Sequence, residues 1–430
     1  MREIAISKNK RHFQKGDRNF FYLADTVWSA FTNASFSEWQ EYLDYRKMQG
    51  FNALQINILP QWDASGSDID IQAFVVKTDG TFDFFKLNEA YFDRAEKMIA
   101  MAVERGFLPA LVLLWCNFVP DTWSDKIKKC DKMPLSAIEN YVKCVAATFS
   151  KYNPIYIISG DSDFPTQLAK SYYGKALALI KKLSPECLTT MHIQGRLMEL
   201  PEEYTKEDGI DFYMYQSGHN TDFRHMAYVM ANHFYHKKNM KPVLNSEPCY
   251  DQMGFSRRIY GRFTTFDVRK AAWQSVLSGA SAGITYGAHG IWSWHKPGKN
   301  FGATGEGFDK PYYWRDALKF EGAWDYSFLK WIFETYDLFD LKPQNLIANT
   351  TEEIRMAMKT DRSVVLVYMP SNTTLTINDD LSEYSFDIID LTTKRFAKPV
   401  IQYIKGQTIM QMHNFQADVL FLGTRRYFSQ

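Results

Sequence analysis

The order of apolar runs predicts an α/β fold: a (β/α)8 barrel followed by a small C-terminal β-sandwich. Three observations carry this. Eight short apolar runs punctuate the first 300 residues, helical periodicity fills most of the gaps between them, and beyond about residue 338 only short β runs remain. The barrel is placed at 1–338 and the sandwich at 339–430. A hydrophobic fraction of 46 % over 430 residues is enough for a core of that size.

The first four runs are "NFFYLAD" (19–25), "NALQINIL" (52–59), "LPALVLLW" (108–115) and "PIYIISGD" (154–161). The next four are "CLTTMHI" (187–193), "IDFYMYQ" (210–216), "KPVLNSE" (241–247) and "GITYGAHGIW" (283–292). Those at 108–115 and 154–158 are apolar on both faces, as buried parallel strands require. Helical patterns occupy 37–50, 88–106, 135–152, 169–184, 223–238 and 264–279. In the first, Ser37 and Gln40 have capping-box spacing, Trp39, Tyr42 and Leu43 share one face, and Gly50 offers a stop. An open doubly wound sheet is the competing fold. It calls for a Gly-rich phosphate turn after the first strand, where this chain has "ADTVWSAF". The tail runs "RSVVLVYM", "TTLTI", "YSFDIIDL", "PVIQYI" and "DVLFLG" read as sandwich strands.

Composition excludes several functions. Fifty Lys and Arg against 49 Asp and Glu, with no basic block, leave no footprint for nucleic acid. No run approaches the 18 apolar residues of a membrane span. Cys116, Cys130, Cys144, Cys187 and Cys249 form an odd set without a C-x-x-C pair, so neither a disulfide framework nor a zinc knuckle is expected. The start "MREIAISKNKRHF" has no apolar signal core, which points to the cytoplasm; a chain trimmed of its signal would read the same and be secreted or periplasmic. Oligomeric state leaves no mark on the sequence. An aromatic fraction of 16 % suits a sugar cleft, where rings pack on the C–H faces of the substrate.

No cofactor motif is present. "SGASAG" (278–283) lacks the P-loop lysine and reads as a helix end packed on the eighth strand. No G-x-S-x-G elbow supports serine chemistry. His233 and His236 lie at i, i+3 in a helical segment without a third ligand, so no metal is expected.

Barrel active sites lie at the C-terminal ends of the strands. The first three strand ends offer Asp25 and Trp28, Asn57 and Gln61, then Trp115 and Asn117. The next three offer Asp161 and Asp163, His192 and Gln194, then Tyr215 and His219. Glu247 ends the seventh, and His289, Trp292 and Trp294 follow the eighth. Asp161, in "ISGDSD", and Glu247, in "NSEP", face each other across the barrel mouth. Two opposed carboxyls are what glycoside hydrolysis uses. Asp25, Trp28, Trp115, Asp163, His192, Tyr215, His219, His289, Trp292 and Trp294 are the expected substrate contacts.

"LADTVWSAF", "GFNALQINI", "ISGD", "NSEPCYD" and "SGASAGITYGAHGIWSW", in this order, resemble the apiosidase-like glycoside hydrolases, which include glycoside hydrolase family 140. The resemblance spans about residues 10 to 335, and the tail resembles the β module, sometimes labelled collagen-binding, that often follows this barrel. It implies a retaining glycosidase with Asp161 as acid/base and Glu247 as nucleophile, and release of apiose from a plant-type polysaccharide. The chain carries Gly-Asp where most of the wider clan has Asn-Glu, and Asp163 stands as a rival acid. A non-catalytic carbohydrate-binding protein on the same scaffold is the alternative, and a metal-dependent hydrolase lacks its ligand cluster.

Overall fold

The computed structural model describes residues 4–302 and 307–426. Eight parallel strands form the barrel: β1 (Tyr22–Thr26), β2 (Ala53–Asn57), β3 (Leu108–Trp115), β4 (Ile155–Gly160), β5 (Thr189–Thr190), β6 (Tyr213–Tyr215), β7 (Val243–Asn245) and β8 (Gly283–Tyr286). The ladder runs β5-β4-β3-β2-β1-β8-β7-β6. Between β5 and β6 three bonds close the circle: the Asp211 N–H donates to Thr189 O (2.8 Å), the Arg196 N–H to Gln216 O (2.9 Å), and Thr190 Oγ1 to Phe212 O (2.8 Å). Every residue of the eight strands is buried, which is why they read as continuous apolar runs.

Helices α1 (Phe36–Met48), α2 (Glu89–Glu104), α3 (Ile138–Phe149), α4 (Gln167–Leu183), α5 (Met226–Tyr235), α6 (Thr265–Leu277) and α7 (Gly322–Thr335) surround the barrel. The capping box of α1 is Ser35 with Glu38, two residues earlier than the expected Ser37 and Gln40. Glu38 has a charge to place at the positive helix end, and Lys296 holds it from outside (2.8 Å). Only a short helical turn, Glu202–Thr205, stands between β5 and β6. Gly279, at φ +116, and Gly283 admit Tyr235 and Tyr22 where a Cβ would collide with them, which explains the tight "SGASAG" helix end. A three-stranded sheet (Ile4–Ile6, Phe13–Lys15, Arg18–Phe20) precedes the barrel. Its buried Phe13 meets Phe212 edge-on at 4.9 Å.

The C-terminal strands are all antiparallel. Six of them form one sheet, with Leu341–Gln344 and Arg395–Ala397 at its edges, and Leu375–Ile377, Gln407–Met410 and Ile401–Ile404 form a second that shares its core. The larger sheet also packs on the barrel: Leu366, Tyr368, Ile389 and Leu420 join the barrel's own core. At that seam Arg269 of α6 binds Asp418 (2.5 Å) and Asp325 of α7 (2.7 Å), all three nearly or fully buried.

Asp25, expected among the substrate contacts, has partners within the barrel wall. Its carboxylate faces outward from β1 toward α1, where it accepts from Tyr42 OH (2.7 Å) and Arg46 Nε (2.6 Å), and both members of the ion pair are fully buried. Burial works against the Arg46 charge, and the Asp25 carboxylate overrides it and raises the guanidinium further. Asp25 therefore ties α1 to the barrel wall and is not among the residues lining the main cavity. Asp25→Asn leaves a buried cation without its counterion, and should cost about 3–5 kcal/mol in urea unfolding. A cost under about 1 kcal/mol would show that Asp25 is not the charged partner.

Candidate active site

Glu247 is set by the residues around it before its own chemistry begins. It follows β7, whose last residue, Asn245, donates to Ser217 Oγ (2.9 Å) and Ser275 Oγ (3.0 Å) and accepts from the Glu247 N–H (3.3 Å). Ser246 accepts through its carbonyl from Gln55 Nε2 (3.0 Å), and the Glu247 carbonyl accepts from the Gly218 N–H (3.1 Å). These bonds fix the backbone from which the carboxylate projects.

Two histidines face it. His219 Nε2 lies 2.7 Å from Glu247 Oε1, and His192 Nε2 lies 2.9 Å from Oε2, off the straight line of an ideal hydrogen bond. The Asp161 N–H donates to His192 Nδ1 (3.0 Å). That nitrogen is therefore the acceptor, and the ring proton sits on Nε2, toward Glu247. Burial alone would raise the Glu247 pKa; the contacts with His192 and His219 outweigh it and hold the carboxyl at about 2. Glu247 is ionised throughout the physiological range.

Asp161 turns the chain at the end of β4. Its backbone is left-handed (φ 51°), a conformation that Asp tolerates better than most residues. Its N–H thereby reaches His192, and its carbonyl accepts from Trp123 Nε1 (2.6 Å). Gly160 is required beside it, because a Cβ there would stand 2.1 Å from the Trp115 indole. Asp161 and Glu247 line one cavity of about 270 Å³. Its aromatic wall is built from Trp28, Trp115, Tyr250 and Trp292. Trp115 stacks on His192 (5.7 Å, 25°), and Trp28 donates through Nε1 to Tyr250 OH (3.2 Å). Burial and the adjacent Glu247 carboxylate push the Tyr250 phenol well above its ordinary range. Gly287 makes room for that ring, since a Cβ there would lie 2.1 Å from it.

Of the expected contacts, Trp28, Trp115, His219 and Trp292 line the cavity with the two acids, as does Gln194. The others lie elsewhere. His192 stands behind Glu247, fully buried. Asp163 accepts from the Trp123 N–H (3.2 Å) and shapes the rim. Tyr215 points away from the barrel axis and donates to Ala227 O on α5 (2.8 Å). His289 accepts from the Gly254 N–H (3.3 Å) and is held neutral by burial, followed by the Arg262 charge. Trp294 stacks on Trp314 (4.7 Å) inside the wall, after a turn that puts its own backbone at φ 47°. Trp62, Trp123, Arg196, Gln216 and Arg257 line the cavity without having been expected. They sit in loops beyond the strand ends, where no periodicity marks them; Tyr250, three residues after Glu247, had only its nearness as a signal. Among the described residues no three His, Cys, Asp or Glu side chains cluster as a metal site, and no helix is long and apolar enough to cross a membrane.

Comparison with known proteins adds the following. The family model described as "Apiosidase-like, catalytic domain" matches residues 7–340. A solved structure described as a glycoside hydrolase superposes with a TM-score of 0.79 at 20% identity, covering 99% of this chain and 98% of that one. A family 5 glycoside hydrolase from Bacteroides vulgatus gives 0.80 at 20% identity, over 100% and 94%. A GH30 endoxylanase from Clostridium papyrosolvens gives 0.52 at 9% identity, over 95% and 97%. At these identities the likeness is one of fold, and it takes in the C-terminal sheets as well as the barrel. No curated protein sequence matches the chain.

His219→Phe keeps a ring against Tyr250 (4.3 Å in the wild type) and removes one donor from Glu247. A hydrogen bond to a charged group is worth about 1.5–3 kcal/mol, so the Glu247 pKa should rise by roughly one to two pH units. The acid limb of kcat/KM, below about pH 3 in the wild type, then moves up into measurable range. An unmoved limb would show that His219 does not hold the charge.

Proposed function

The chain belongs to the apiosidase-like family of glycoside hydrolases, and from that premise we propose that it hydrolyses a glycosidic bond of a complex plant-type polysaccharide or oligosaccharide with retention of configuration. Apiose is the family-level sugar. The observation that carries the reading is Glu247, buried at the cavity floor and yet kept ionised by two histidines, with Asp161 lining the same cavity.

In the first step a Glu247 oxygen bonds to the anomeric carbon as the bond to the leaving oxygen breaks, and Asp161 gives that oxygen its proton. In the second, Asp161 takes a proton from water, the water oxygen attacks the anomeric carbon, and Glu247 leaves as carboxylate. A carboxyl with so low a pKa is a poor base and a good leaving group, which suits the second step. Asp161 rather than Asp163 is assigned the acid role because Asp163 is turned to the Trp123 backbone, outside the cavity lining. Trp28, Trp115 and Trp292 offer apolar faces to the sugar ring.

Glu247→Gln should reduce turnover of every glycoside to background. Asp161→Asn should lose about 10²–10⁴-fold on a natural glycoside and far less on an aryl glycoside with a good leaving group, with azide restoring its second step. Full activity of Asp161→Asn alongside a dead Asp163→Asn would transfer the role. A crystal structure with bound substrate analogue should give a carboxyl separation of about 5–5.5 Å; about 6.5–9.5 Å would make the enzyme inverting.

A further inference from the structure

A second groove, about 250 Å³ against about 270 Å³ for the catalytic cavity, lies on the same face of the barrel. It is formed by a hairpin inserted between β2 and α2 (Phe74–Val76 paired with Phe82–Leu87) and by the segment 131–134 after β3. Both segments follow the C-terminal ends of barrel strands. The same two loops supply Trp62 and Trp123 to the catalytic cavity, and they are tied together, Lys128 Nζ donating to Trp62 O (3.3 Å).

The hairpin breaks the ordinary rule for a solvated strand face. Its register jumps, Phe74 opposing Leu87 and Val75 opposing Asp83, which leaves Phe84, Phe85 and Lys86 unpaired in a bulge. Bulges re-aim side chains and recur beside binding sites. Here Phe84 turns in (6 % exposed), against Phe74 (4.9 Å) and Phe118 (6.4 Å), while Phe85 turns out (55 % exposed). Val75 and Val76 on the opposing strand are exposed as well. The base is rigid, because the Phe82 N–H donates to Asp131 Oδ2 (3.0 Å) and Lys132 Nζ to Asn117 O (2.7 Å). Lys77, Thr81 and Asp83 border the apolar floor with donors and acceptors suited to hydroxyl groups.

We propose that this groove binds sugar units of the same glycan chain whose scissile bond lies in the cavity, with Phe85 as the stacking face. The proposal rests on the glycosidase reading for its choice of ligand. An aromatic face ringed by mixed charges matches a sugar, which has an apolar C–H side and a rim of hydroxyls. The loops shared with the cavity make the two sites parts of one surface.

The test uses the full chain, as wild type, Phe85→Ala and Phe85→Trp, with soluble pectin, xylan and galactomannan and a small aryl glycoside. Phe85 is exposed, so neither substitution disturbs the core. In gels containing the polysaccharide that retards the wild type most, Phe85→Ala should lose most of the retardation and Phe85→Trp should keep it. On that polymer KM should rise about three- to tenfold in Phe85→Ala, with the aryl glycoside constants unchanged. Loss of retardation without turnover of any glycoside would uphold the groove and sink the catalytic reading. Turnover with no effect of Phe85, or no retardation of the wild type by any of the three polymers, would overturn the groove alone. An equal effect on the aryl glycoside would also overturn it, as would sedimentation of the wild type as a dimer that Phe85→Ala dissolves, which would assign the patch to a second copy of the chain.

Discussion

A carboxylate taken out of water must be given donors, or it takes up a proton and loses its charge. Glu247 is in that position, and much of the site follows from meeting its need. His192 accepts at Nδ1 from the Asp161 N–H, which leaves its ring proton on Nε2, toward Glu247. The Asp161 N–H points at Nδ1 because Asp161 adopts a left-handed backbone. The two acids are thus coupled before any substrate binds, through one imidazole whose tautomer the strand-four turn selects. Trp115 stacks on that imidazole, and Gly160 exists to let the indole through.

The scaffold commits several of its strand-end polar groups to its own wall. Asp25 at the end of β1 is spent on Arg46 and Tyr42, Tyr215 on the backbone of α5, and His289 on the loop after β7. The C-terminal sheets are part of the same support. Arg269 lies two residues beyond Asp267, the capping-box partner of the N-cap Thr264 of α6, and reaches across to Asp418, so the helix behind the Glu247 loop is anchored in the sandwich. Such a seam, with a shared apolar core, describes a buttress more than a tethered module.

Much of the fold was legible because burial leaves a period in the sequence. The eight strands are buried on both faces and mostly apolar, the helices carry an apolar stripe, and glycines such as Gly50 and Gly106 mark the helix ends with positive φ. The strand-end rule also brought Asp161, His219, Glu247 and three indoles to one cavity, because in a parallel barrel all strands end on one face. What the rule could not supply was the side on which a residue lies. A strand buried on both faces shows no alternation, so Asp25, facing the helices, and Glu247, facing the cavity, look alike in one dimension.

The sequence by itself determined the alternation of strand and helix, the change of texture after the barrel, and the acids at the ends of strands four and seven. The tertiary structure alone decided which of the remaining polar residues line the cavity. Trp62, Trp123, Arg196 and Arg257 come from loops with no periodicity, and they converge only when the barrel closes. The ionised state of Glu247 was likewise out of reach of any local pattern. It depends on donors 55 and 28 residues away in the chain, held within 2.9 and 2.7 Å by the closed barrel.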